Sequence, residues 1–84
     1  MEKYPYSKQA GKLKNLIESK GYSIYKFAVQ CRYSTSRMYR IMSGEVDIST
    51  IQVGNIIIFA RILGFKYVDD FLQAIDVDIL DDFR

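Results

Sequence analysis

The chain of 84 residues contains no histidine, one cysteine and one proline. Without histidine there is no imidazole to act as a general base, and a lone thiol supplies no tetrahedral ligand set for a structural metal. Cys31 has no intrachain disulfide partner, which fits a reducing compartment, and it reads as a small buried hydrophobe rather than a reactive thiol. With Pro5 the sole proline, helix boundaries must come from caps and glycines. No glycine-rich phosphate loop follows a strand pattern. The most apolar window, Asn55 to Phe65, is interrupted by Arg61 and too short to span a bilayer. The opening residues lack the apolar run of a signal peptide, so a soluble, cytoplasmic protein is expected. Adjacent acids such as Asp69 and Asp70, or Asp81 and Asp82, would face different ways on a helix, and "DIST" at Asp47–Thr50 lacks the oxygen spacing of a calcium loop. An enzyme is not expected, nor a cofactor or metal site.

What the chain does have is apolar content, 49% of its residues, enough for one core and at this length for only one. Its charge is divided unevenly. Between Lys8 and Arg40 eight cations face the single acid Glu18, a balance of +7; from Ile41 to Arg84 three cations face eight acids, a balance of −5. A basic half joined to an acidic half points to a polyanionic partner at one end, or to two solvated faces that attract each other.

Periodicity predicts five short helices and an all-α fold. Ser7 would N-cap the first, over 8–20, with Leu13, Leu16 and Ile17 on one face and Gly21 as its stop. Ser23 caps a second, Ile24 to Cys31, and Ser34 a third, closed by Gly44, with Met38, Ile41 and Met42 inward. "EVDISTIQ" reads as a loop. The fourth runs from Gln52 to Gly64, with Val53, Ile56, Ile57, Ala60 and Leu63 as its inward stripe and Ile58 and Ile62 outside it. The fifth, "KYVDDFLQA", turns Val68, Phe71 and Leu72 inward. Residues 1–74 then form one domain, with 1–7 as an N-terminal arm. Residues 75–84, alternately apolar and acidic, form a C-terminal extension as a helix continuation, a short strand or a tail.

A short helix, a turn of about three residues and a second helix capped by serine is the helix-turn-helix layout. Ala28 is small enough for a steep crossing, Phe27, Cys31, Tyr33, Met38 and Ile41 fill the joint, and the third helix is left free to enter a major groove by its first turn. From Leu13 to Leu72 the sequence resembles the Cro/repressor-type helix-turn-helix regulators. The resemblance is carried by "KGYSIYKFA" (Lys20–Ala28), "YSTSRMYRIMSG" (Tyr33–Gly44) and "IFARILGFKYVDDFL" (Ile58–Leu72). It implies a five-helix repressor-like domain that binds double-stranded DNA and regulates transcription, most simply as a repressor. It also implies base reading by Thr35, Ser36, Arg37 and Arg40, and phosphate contacts from Ser23, Tyr25, Lys26, Tyr39 and Ser43.

The sequence departs from that pattern in three places. Ile24 stands where a polar side chain usually supports a phosphate. Arg32 holds a turn position that commonly carries glycine. The loop after Gly44 is longer and carries Glu45 and Asp47 where cations are common, so carboxylates there would oppose phosphate. Ile58 and Ile62 leave apolar surface for the extension or a second copy of the chain to cover, and a homodimer would suit paired half-sites. The competing expectation is an interaction module or antitoxin-like adaptor of the same fold, docking a protein partner through the acidic half with weak or no DNA binding.

Overall fold

In the computed structural model, which describes residues 4–77, five α-helices follow one another: α1 Ser7–Ser19, α2 Ile24–Gln30, α3 Thr35–Met42, α4 Val53–Ile62 and α5 Val68–Ala74. A single 3-10 turn, Ile48–Thr50, lies between α3 and α4, and no strand occurs among the described residues. No helix among them is long and apolar enough to cross a membrane.

Serine hydroxyls start α2 and α3 as expected. Ser23 accepts a hydrogen bond from the Lys26 amide at 3.1 Å, and Ser34 accepts from that of Arg37 at 3.3 Å, each satisfying an otherwise orphaned donor. Ser7 does something else. It is the first residue of α1, Tyr6 is the cap without a side-chain bond, and the Ser7 hydroxyl donates to the Tyr4 carbonyl at 2.8 Å. The Tyr6 amide donates instead to the Gly44 carbonyl at 3.1 Å, so α1 is started by contact with the end of α3 rather than by its own cap.

All five helices end alike. Beyond each cap a residue takes the left-handed conformation: Gly21, Arg32, Gly44, Gly64 and Asp76. The next amide then donates to the carbonyl five residues earlier, as in Tyr22 to Ile17, Tyr33 to Ala28, Glu45 to Arg40, Phe65 to Ala60 and Val77 to Leu72. This Schellman closure satisfies helix-end carbonyls while reversing the chain. Gly44 is the most constrained of these positions. It has φ +89°, and a Cβ there would lie 2.7 Å from the Ser7 amide nitrogen and 2.8 Å from its Cα. Arg32 adopts φ 53°, a conformation that costs a residue with a Cβ about 1–2 kcal/mol.

α1, α2 and α3 pack on one another, and α4 packs on α5. Phe59, fully buried in α4, links the two groups. Its ring centroid lies 5.5 Å from that of Phe27 in α2 and 5.3 Å from that of Tyr33 in the turn before α3, the latter edge-on at 84°. Such aromatic pairs add about 0.5–1.5 kcal/mol beyond their burial. The expected stripe of α4 is therefore corrected: Ile56, Phe59, Ala60 and Leu63 are buried, Ile57 is half-buried, and Val53 is 56% exposed. α4 is apolar on nearly every side, so its periodicity does not fix which side turns inward. At the chain's end Ile75 and Val77 are buried and close α5. Residues 78–84 of the expected extension, and 1–3 of the arm, lie outside the described residues.

Lys12 of α1 pairs with Asp76, tying α1 to the end of α5. The hydrogen bond from Lys12, then its charge, hold the Asp76 carboxyl below the usual value of 3.8, and Lys8 adds to the effect.

Three predictions follow from these closures and this pair. Gly44→Ala is expected to lower unfolding free energy by more than about 1–2 kcal/mol, the left-handed penalty alone, because the Ser7 backbone must also move. A urea midpoint within error of wild type would refute it. Arg32→Gly is expected to raise stability by about 0.5 kcal/mol, relief of strain outweighing the larger entropy of the glycine-containing unfolded chain; an unchanged or lower midpoint would show that the strain relieved does not exceed that entropic cost. Because the folded-state pKa of Asp76 is depressed, its contribution is present above about pH 4 and lost as pH falls through the folded value. Asp76→Asn should thus be less stable than wild type near neutrality, with the difference narrowing as pH falls below about 4, as read by denaturation midpoints across that range.

Candidate functional site

The exposed side of α3 follows from how its other side is used. Met38 and Ile41 are buried against α1 and α2, together with Phe27, Ala28 and Cys31. Helical spacing then turns Ser36, Arg37, Tyr39 and Arg40 to solvent, with Tyr39 53% exposed. Thr35, the first residue of the helix, is half-buried. Arg37 and Arg40, one turn apart, border a groove of about 190 Å³ to which Tyr33, Ile41 and Val46 contribute an apolar lining. The groove therefore combines two guanidinium side chains with an apolar floor, a combination suited to a planar or anionic partner.

Arg40 is not free. Its Nε donates to Glu45 Oε2 at 3.2 Å, and both partners face solvent. The backbone reinforces this placement, because the Arg40 carbonyl accepts from the Glu45 amide at 3.3 Å and from the Ser43 hydroxyl at 2.8 Å. Glu45 is thus bonded to Arg40 at both main chain and side chain, through the closure that Gly44 makes.

The residues expected at phosphates are dispersed in role. Ser23 is exposed with its oxygen engaged as the α2 cap, while Lys26 and Tyr25 are exposed on the first turn of that helix, Tyr25 by 58%. Ser43, also exposed, uses its hydroxyl on the Arg40 carbonyl. Ile58 is 40% exposed, whereas Ile62 is half-buried against the core, so of the two expected to need a cover Ile58 keeps the more open surface. A second groove of about 300 Å³ lies on α4, α5 and their connection, with Ile57, Phe65 and Val68 beside Arg61 and Lys66. Cys31 is buried, and burial pushes its thiol up to about 12, far from a reactive thiolate at neutral pH.

Sequence reasoning placed Glu45 as an acid opposing phosphate and missed that it binds Arg40. The signal was present: a glycine-closed helix end returns the chain over its last turn, bringing the residue after Gly44 back to Arg40. Tyr33 and Val46 as groove walls had no comparable signal, since each is an ordinary apolar residue in a loop.

No protein-family model matches this chain, and no curated protein or solved structure matches it.

Proposed function

We propose that the protein is a small sequence-specific DNA-binding regulator, with α2 and α3 as a helix-turn-helix and α3 as its reading helix. The observation that carries this reading is the division of α3 into a fully buried side and an exposed side bearing Ser36, Arg37, Tyr39 and Arg40. Its first turn carries Thr35, Ser36 and Arg37, and no acid occurs from Lys20 to Arg40. Side chains of this type fit the major-groove edges of bases, with arginine bidentate to guanine and threonine or serine adaptable to several edges. Thr35, Ser36, Arg37 and Arg40 are assigned to bases. Lys26, Tyr25, Tyr39, Ser23 and Ser43 are assigned to phosphates, where they would set register without carrying sequence information. The regulator would act most simply as a repressor, by occupying its site. A homodimer, with Ile58 among its apolar contacts, would match paired half-sites and multiply the few base contacts that one copy can make.

A second reading rests on the groove of α4 and α5. Its apolar lining and the cations Arg61 and Lys66 suit an acidic, apolar segment of a protein partner, a docking mode other than the acidic-half contact expected of an interaction module or antitoxin-like adaptor.

Selection from a pool of random duplexes, followed by fluorescence anisotropy on an enriched duplex, separates the two. Enrichment of a defined motif is expected, with affinity falling steeply between 0.1 and 0.2 M salt as several phosphate contacts require (roughly that range, by counterion release). Arg40→Ala is expected to cost about 1–3 kcal/mol on the enriched duplex and to relax base choice at one position of each half-site. A pool that emerges unenriched would reject the DNA reading in favour of the second.

A further inference from the structure

The geometry points to Glu45 as a positioning and specificity-determining residue, which holds the Arg40 guanidinium so that its terminal nitrogens, not its Nε, meet the base. This inference rests on the DNA-reading proposal above and names how its central side chain is aimed.

Three observations converge on it. First, the contact uses one particular donor: Arg40 Nε bonds to Glu45 Oε2 at 3.2 Å. A guanidinium can address guanine O6 and N7 side-on, through Nε and one terminal nitrogen, or end-on, through the two terminal nitrogens. With Nε occupied by a carboxylate, the end-on fork is the donor pair that remains. Second, Glu45 is itself held. Gly44 at φ +89° turns the chain, the Glu45 amide is bonded to the Arg40 carbonyl, and the Gly44 carbonyl accepts from Tyr6 at the start of α1. The carboxylate therefore projects from a fixed closure rather than from a free loop. Third, the charge has a sign that matters. A carboxylate beside the reading helix repels phosphate, so it weakens binding to any duplex alike and leaves the choice between duplexes to the aimed guanidinium. Within this arrangement Glu45 touches no base. It acts through Arg40.

The two parts of the role, aiming and repulsion, are separable by substitution. Glu45→Gln retains a side-chain oxygen that can accept from Nε but removes the charge. Glu45→Ala removes both. On a duplex enriched by the wild-type protein, the wild type should prefer guanine at the Arg40 position over the other bases by roughly 5–150-fold, the range of a good bidentate pair. Glu45→Ala should lose most of that preference, falling to a few-fold, while binding an unrelated duplex more tightly than wild type. Glu45→Gln should bind the unrelated duplex more tightly as well, yet keep most of the guanine preference. Circular dichroism and a thermal midpoint for each variant establish that the helices are intact, and a merely structural role would shift those readings without separating the two variants in base preference. An undiminished guanine preference in Glu45→Ala would overturn the inference and leave the DNA reading standing. Failure of the wild-type protein to enrich any duplex would overturn the DNA reading, and this inference with it.

Discussion

Gly44 occupies a place where a left-handed backbone and the first turn of a neighbouring helix leave no room for a side chain, and much else in the molecule is arranged around that contact. The residue ends α3, accepts the Tyr6 amide that starts α1, and returns the chain so that Glu45 lies on the Arg40 carbonyl. One closure thus couples the length of α3 to the seating of α1 and to the state of an exposed arginine. Core packing alone would not do this, because apolar contact is non-directional and tolerates sliding. The left-handed closure is directional, and it acts on the α3 side where the candidate site lies. The other directional element is Phe59, whose ring touches both Phe27 and Tyr33 and so braces the turn between α2 and α3 from the α4 side.

Much of the helix order was legible because it depended on local chemistry. Ser23 and Ser34 cap where serines followed by helical periodicity should, and Gly21, Gly44 and Gly64 stop helices where a chain with one proline needs them to. Arg32 was legible in a less usual way, as a position where the layout requires positive φ and the sequence supplies a residue that resists it. Ser7 and Asp76 were not legible. The first has its capping role displaced by a contact with Gly44, thirty-seven positions away, and the second closes α5 in the left-handed conformation within a segment whose alternating pattern allowed helix, strand or tail. The face of α4 failed for a different reason. A helix carrying isoleucine at three successive positions, with phenylalanine beside them, has no polar side to exclude, so only the tertiary partners of Phe59 decide its rotation.

Charge division along the chain was visible at once, but its meaning was not. Both ion pairs among the described residues, Lys12 with Asp76 and Arg40 with Glu45, join a cation of the basic half to an acid of the acidic half. Part of the asymmetry is therefore answered within the fold, as two faces that attract each other. Lys26 and Arg37 remain exposed on α2 and α3, and neither is a partner in those pairs. The excess on this side of the molecule is consequently smaller than the sequence balance implies. Lys8, Lys14, Lys20 and Arg32 are likewise exposed and outside those pairs, so a basic surface remains for a polyanion, while the choice among duplexes depends on the geometry of a few contacts.

That consideration bears on why an acid should stand beside an arginine on an exposed helix. As a stabiliser of the fold, a solvent-exposed pair contributes about 0–1 kcal/mol, which is little compared with burial of Phe59 or the closure at Gly44. As a constraint on a long side chain the same contact has more effect, because an arginine carries about 2 kcal/mol of rotamer entropy that any bound geometry must remove. Glu45 removes part of it in the free protein. On the proposed reading the cost falls before DNA is met and is shared by every duplex, so it cancels from the comparison between duplexes. The repulsion of phosphate by the same carboxylate is shared equally. Only the bond from the oriented guanidinium to a matched base differs from one duplex to another. On that reading a weak surface pair raises discrimination without raising affinity for every duplex, and the acid after Gly44 has a physical use that a cation in its place would not serve.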